Sequence, residues 1–417
     1  MKPKQRKSNK KKMRKRNNKL SAQDDTAFNE MNKINYALKQ GDFALLRDIG
    51  KRQGFISDAV RRRIWPFLLH AVDPTEETYK EGSLKVRHKD EDQVMLDVKR
   101  SFSSFPPYLT ENDKTELQEK LNRVIIHVLR AYPSLHYYQG FHDICSVFLL
   151  LFGEDFAKRM METIALFYLR DAMFSSLEPI LRQLTTINTI IGLKDPALSD
   201  FISEAGVLPY YCLSWVITWC SHDLSDLGQI TRLFDLFLCS NPFMVMYFSA
   251  AVVLSRREEI MKLPSDDMSI IHSFLTKLPQ DLDLEAIIQN ACLLEREYSP
   301  FEIQCQSTIA LDTTSCINTF EKHFVPIEAL DELNQVIEST TIPILKEGAD
   351  EKQLIELNVL KDVKKHELSH SVLQRLLLLD KKEAAVYTLF AIGAGVGLLS
   401  VIMSNSDLAR EWVFSLQ

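Results

Sequence analysis

Three short groupings of residues carry side chains suited to work on a charged substrate. Arg61 and Trp65 stand four apart in AVRRRIWPFLL. Val94, Asp97 and Arg100 recur at intervals of three, and Tyr137, Tyr138, Gln139 and Gly140 run together with Asp143 just beyond. On a helix, Asp97 and Arg100 would be i, i+3 neighbours, and the carboxylate could orient the guanidinium. The same spacing also makes an ordinary solvated ion pair. Pro106 limits any such helix, which places Arg100 toward its end. The amide of Gln139 both donates and accepts, so it could hold a water; it could equally be a satisfied loop residue. Gly140 permits a tight backbone or a close approach.

Taken together, these residues suit one chemistry. Phosphoryl transfer to water needs charge neutralised on the transferred group and a water held in line. An always-charged arginine supplies the first and a glutamine amide the second. No GxxxxGK[ST] loop occurs in the chain, so the nucleotide would sit on a partner and these residues would act in trans.

A motif of another class lies near the C-terminus. His366-Glu-Leu-Ser-His370 is an HExxH, whose histidines on a helix could bind zinc with Glu367 as general base. A membrane-tethered zinc protease is therefore an alternative. The segment is short and charged, and Asp380 and Glu383 are the acids between it and the apolar stretch that follows, Glu383 directly against that stretch. The plainer reading is an amphipathic juxtamembrane helix without metal.

The elements that position the first set must be mostly helical. Of 417 residues only 13 are glycine, against a usual share of about 7%. A large β-sandwich or barrel would need more turn glycines. Leu117, Leu121, Val124, Val128 and Leu129 mark one face of a helix ending before Pro133. Phe234–Leu238 and Met244–Leu254 are apolar runs divided at Asn241-Pro242, a helix boundary. Residues 296 to about 325, richer in Ser, Thr and Cys, read as a boundary loop. The seven cysteines form no CxxC pair and no disulfide-like framework, which suits a reducing compartment.

Charge is unevenly spread. The net charge is −6, yet residues 1–20 hold eleven Lys or Arg and no acid, leaving −17 on the rest. A basic arm on an acidic body suits contact with anionic lipid, nuclear import or RNA contact, or a plain solvated tail; the body is no nucleic-acid binder. Ala384–Met403 is twenty residues without a charge, enough for about 30 Å of helix and a bilayer core. Lys364, Lys365, Arg375, Lys381 and Lys382 precede it and only Arg410 follows, which orients the body to the cytosol. With fourteen residues after the span, the expectation is a tail anchor. Gly393 and Gly397 form a GxxxG that could pair two spans into a homodimer, or is simply tolerated in a membrane helix.

The order RxxxW, VxxDxxR and YxQG resembles the signature of TBC-domain GTPase-activating proteins for Rab GTPases, with Val94 where the family has Ile. Leu213–Leu224 and Ile230–Leu254 resemble later segments of the same family, so the likeness runs from about Gly54 to Leu294. With the C-terminal span, the chain is similar to family members tail-anchored in the endoplasmic reticulum that act on the Rab of ER-to-Golgi traffic.

The resemblance implies an all-α, roughly V-shaped domain with a groove near its site. Arg100 matches the arginine finger and Gln139 the glutamine finger. Asp97 matches the acid that orients the finger region. Arg61 and Trp65 match a supporting, structural motif, while Tyr137, Gly140 and Asp143 would shape the loop that holds Gln139. The implied partner is a GTP-bound Rab, which would itself bind GTP and magnesium, so no cofactor of the chain's own is expected. A silent scaffold that binds a GTPase without stimulating it is the alternative within the family; the presence of both fingers weighs against it. The expected organisation is a disordered basic arm over 1–22, a TBC domain over 23–295 and a linker with short helices over 296–383. A transmembrane helix over 384–403 and a short lumenal tail over 404–417 complete it.

Overall fold

The computed structural model describes residues 29–71, 85–102, 109–279, 282–307 and 309–347, and among them the fold is all helical. A first helix, α1, covers 29–40 and buries Ile34 and Ala37. It leads into α2 (Phe43–Arg52), whose N-cap Asp42 accepts from the Leu45 amide at 2.8 Å. Helix α3 (Asp58–Leu68) carries Arg61 and Trp65, and α4 (Glu91–Val98) carries Asp97. Helix α5 (Glu111–Ala131) starts with a Thr110–Asp113 capping box and ends before Pro133. Its buried face is Leu121, Val124, Ile125, Val128 and Leu129, matching the spacing read from sequence.

Helices α6 (Phe141–Phe152) and α7 (Glu154–Phe167) meet at Gly153, whose φ of 77° allows the chain to reverse there. The chain continues through α8 (Glu178–Lys194), α9 (Pro196–Glu204) and the short α10 (Leu213–Thr218). Then come α11 (Leu227–Leu238) and α12 (Met244–Ser255). The break between these two falls at Asn241-Pro242, where the Asn241 side chain accepts from the Phe243 amide at 2.9 Å. Every residue from Met244 to Val253 is buried. A helix apolar on all sides belongs at the centre of a domain, and α12 packs against α8, α10 and α11. The helices α13 (Arg257–Ile260), α14 (Met268–Leu275) and α15 (Leu284–Glu297) follow, with α15 closing over α12.

The stretch 296–325 corrects the sequence reading. Instead of a boundary loop it forms α16 (Pro300–Gln306) and α17 (Cys316–His323). Ile303, Leu311, Cys316, Ile317, Phe320 and Phe324 are buried in the same core as the preceding helices. Buried Asp171 fastens them, accepting from Ser315 Oγ at 2.5 Å and from the Cys316 amide at 2.9 Å. Two further short helices, α18 (Leu330–Val336) and α19 (Ile342–Glu347), end the described chain. Two of its serines, Ser299 and Ser315, are helix N-caps.

Another buried acid, Asp235, lies among the central helices. Asp235 on α11 has no exposed surface. Its carboxylate accepts from Arg61 Nη2 at 2.8 Å, from Trp65 Nε1 at 2.8 Å and from the Phe55 amide at 2.9 Å. Burial raises its pKa, and the Arg61 contact opposes that rise. The Trp65 ring packs on Phe148 and Phe152 of α6 and on Phe234 of α11, with centroids 5.3, 5.6 and 6.0 Å away. Arg62 adds a bond from its Nε to the Leu151 carbonyl at 2.7 Å. Helix α3 is thereby locked to α6 and α11 at once.

The basic arm, His366–His370, Gly393, Gly397 and the apolar span Ala384–Met403 lie outside the described residues. Among the described residues no helix is long and apolar enough to cross a membrane, and no cluster of His, Cys, Asp and Glu could hold a metal ion.

Removing one partner of a buried ion pair typically costs about 3–5 kcal/mol. Asp235→Ala should therefore lower the unfolding free energy by about that amount in chemical denaturation. A loss below ~1 kcal/mol would show that the hub is dispensable.

Candidate functional site

Helix α4 begins with Glu91 and Asp92, acids that favour a helix N-terminus. Val94 and Val98 face inward one turn apart, and Asp97 lies between them with no exposed surface. A buried carboxylate needs partners, and Asp97 has two. Tyr137 donates its hydroxyl to Oδ2 at 2.9 Å, and Arg100 pairs through Nη2 with Oδ1. Arg100 sits two residues past the end of α4, with its side chain 59% exposed. The guanidinium is thus tethered at one edge and open to solvent over most of its surface. Gln118 of α5 braces the turn that carries it, donating to the carbonyls of Lys99 and Ser101 at 3.2 and 2.9 Å.

Gln139 lies in the turn just before α6 and is partly exposed. Both sides of it are fixed. On one side, the Tyr137 amide donates to Asp90 Oδ2 at 2.9 Å, and Tyr138 donates its hydroxyl to the Ile217 carbonyl at 2.8 Å. On the other side, Gly140 is the N-cap of α6 with φ of 115°. A Cβ there would lie 2.9 Å from Thr218 Cγ2, so the loop runs hard against the end of α10. The backbone angle and the close contact both require glycine.

Tyr137 ties the two parts together. Its hydroxyl reaches Asp97, the same carboxylate that holds Arg100, two residues before Gln139. Burial and the neighbouring Asp97 charge raise its pKa well above the usual phenol value, so it stays a donor. Glu91 adds a second strut across the same gap. Arg130, near the end of α5, binds it through Nε at 2.7 Å and Nη2 at 3.0 Å, and that contact lowers the Glu91 pKa.

Of the residues singled out in the sequence, Asp97, Arg100, Tyr137, Gln139, Gly140 and Asp143 gather around α4 and the start of α6. Arg61 and Trp65 do not join them. They point to Asp235 and support α6 from behind. Asp143 stands in the first turn of α6 and accepts from His222 Nδ1 at 3.1 Å. That contact raises the His222 pKa to about 9 against an opposing burial effect. The neighbouring Asp223 is pushed up to about 6, local desolvation outweighing the bond it accepts from Ser214 Oγ.

Several residues escaped the sequence reading. Asp90, Glu91, Gln118, His142 and Asp235 all act on the site or its support. Asp235 did carry a signal: a lone acid inside LFDLFL must be paired if that run is core. Asp90, Glu91 and Gln118 carried none, since their partners lie 17 to 47 residues away. His142 has near partners, Gly140 two residues and Tyr137 five residues before it, but its residue type alone does not announce them.

A family model described as the Rab-GTPase-TBC domain matches residues 58–261, and the chain belongs to that family. TBC1 domain family member 20 of Homo sapiens is 39% identical over 265 residues, covering 63% of this chain and 65% of that protein. The GTPase-activating protein gyp10 of Schizosaccharomyces pombe is 35% identical over 271 residues, covering 63% and 70%. The chain thus spans about 65% of the length of the member 20 protein it matches. Among solved structures, the Chlamydomonas flagellar RabGAP TBC domain aligns at a TM-score of 0.51 with 12% identity, over 64% of this chain and 91% of that one. The Ypt/Rab-GAP domain of Gyp1p aligns at 0.50 with 18% identity, over 61% and 93%. At those identities the structural likeness speaks to the fold.

The His222–Asp143 attraction should contribute stability below about pH 6.5 and be lost as pH rises through about 9. Following the His222 ring signals by NMR, we expect Asp143→Asn to bring the titration midpoint down toward 6.5. A midpoint still near 9 in that variant would remove Asp143 as the cause.

Proposed function

We propose that this protein is a GTPase-activating protein that supplies Arg100 and Gln139 in trans to a GTP-bound Rab. The observation that carries this reading is the seat of Arg100. A solvent-facing guanidinium is tethered to a fully buried carboxylate, and the same carboxylate holds the loop of Gln139. An ordinary surface ion pair needs no such buried anchor.

The proposed division of labour follows from the side chains. Arg100 swings from its exposed edge onto the transferring phosphoryl group and offsets the charge that develops there. Gln139 uses both faces of its amide to hold the attacking water, in place of the Rab's own glutamine. Asp97 and Tyr137 hold the end of α4 beside the Gln139 loop, so that both side chains start from neighbouring seats. The GTP and magnesium belong to the Rab.

We further propose that Ala384–Met403 anchors the chain in the endoplasmic reticulum membrane with the helical domain in the cytosol, near the Rab of ER-to-Golgi traffic. Sharing one membrane surface would raise the effective concentration of activator and GTPase.

The test is single-turnover GTP hydrolysis by a panel of Rabs with the full chain in detergent micelles. Stimulation of one or a few Rabs is expected. Arg100→Lys keeps a cation beside Asp97 but loses the fork, and should lower stimulation by about 10³-fold or more. Retention of a tenth of the activity would refute the finger assignment. Gln139→Ala should be similarly severe, whereas a Rab lacking its own glutamine should still respond to the wild-type chain. Failure of that glutamine-deficient Rab to respond would take water positioning away from Gln139.

A further inference from the structure

His142 stands at the second position of α6, with its side chain 12% exposed. Its Nδ1 lies 3.0 Å from the Tyr137 hydroxyl and 3.3 Å from the Gly140 amide nitrogen. A backbone N–H can only donate, so Nδ1 is the acceptor in the second contact. That sets the tautomer: the ring proton is on Nε2, which faces Asp143 Oδ1 at 3.6 Å. The single hydroxyl proton of Tyr137 then goes to the charged Asp97, the stronger acceptor. The imidazole is left bracing Gly140 and touching the tyrosine oxygen from the other side.

The Gly140 amide is one of the donors at the start of α6 that no intrahelical carbonyl can satisfy. In many helices the third residue reaches back to take the N-cap amide; here the second does so. The consequence is local. The peptide bond whose N–H is held joins Gln139 to Gly140, so its plane sets the direction in which Gln139 leaves the backbone. The same imidazole packs on the oxygen of Tyr137, the residue that donates to Asp97 at the seat of Arg100.

We propose that His142 is a positioning residue for the glutamine finger, an inference that rests on the activator reading above. It acts through its neighbours Gly140 and Tyr137. It orients the Gln139–Gly140 peptide through the Gly140 amide. The loss of such a brace should appear in the chemical step and not in the affinity for the Rab.

The atoms of two substitutions separate this role from packing. Asn places its Oδ1 where His has Nδ1, so His142→Asn keeps an acceptor for the Gly140 amide. Gln is closer to His in size, but its polar end falls nearer Nε2. With the full chain and whichever Rab responds to the wild type, His142→Asn should hold kcat within about threefold, while His142→Gln should lower it about tenfold or more with KM unchanged. Hydrogen exchange across residues 137–141 should stay slow in His142→Asn and quicken in His142→Gln. Should the glutamine variant fail to fold, His142→Ala replaces it in the same comparison. Equal activity in both variants, a more active glutamine variant, or a change in KM alone would overturn the proposal while leaving the activator reading intact. A wild-type chain that stimulates no Rab would overturn the activator reading, and the positioning role with it, whatever the exchange pattern.

Discussion

A charge taken out of water must be met by partners, and Asp235 is where this fold meets that demand. Its carboxylate draws the Arg61 guanidinium, the Trp65 indole and the Phe55 amide to one fully buried point. A hydrophobic core alone would tolerate α3 in several registers against α6 and α11, because apolar contacts are not directional. Three donors aimed at one carboxylate allow one arrangement. That arrangement puts Trp65 against Phe148 and Phe152 and so fixes the axis of α6. The N-terminus of α6 is where Gly140 and Gln139 stand.

The second buried acid repeats the device closer to solvent. Asp97 faces inward from α4, is met by Tyr137 from the loop before α6, and holds Arg100 by its remaining oxygen. The two acids divide the work. Asp235 sets where α6 lies, and Asp97 sets how the arginine and the glutamine loop lie relative to one another. Both use the low local dielectric of the interior, in which a hydrogen-bonded charge pair is strong and an unpaired charge is very costly. The exposed parts of Arg100 and Gln139 remain available to a partner because their anchors are buried.

Much of the scaffold was legible in the residues. The α5 face and the break at Asn241-Pro242 follow from spacing and from proline stereochemistry, and both appear where expected. The stretch 296–325 was misread because its helices are short. Seven or eight residues show little periodicity, and the capping serines Ser299 and Ser315 resemble loop composition. Its burial against Tyr168, Arg170 and Asp171 depends on residues more than a hundred positions earlier. Nothing local announces such a contact.

By itself the sequence determined the helical class, the identity of Asp97, Arg100, Gln139 and Gly140 as a candidate set, and the apolar span beyond the described residues. Those features depend on residue type and near spacing, which a linear chain displays directly. Tertiary structure alone decided that Asp235 is the partner the supporting pair Arg61 and Trp65 serves, and that Tyr137 closes onto Asp97 forty residues away. It also placed His142 between Tyr137 and Gly140. Hydrogen bonds depend on distance and direction in space. Only the packing of α3, α4, α6 and α11 brings those donors and acceptors within reach.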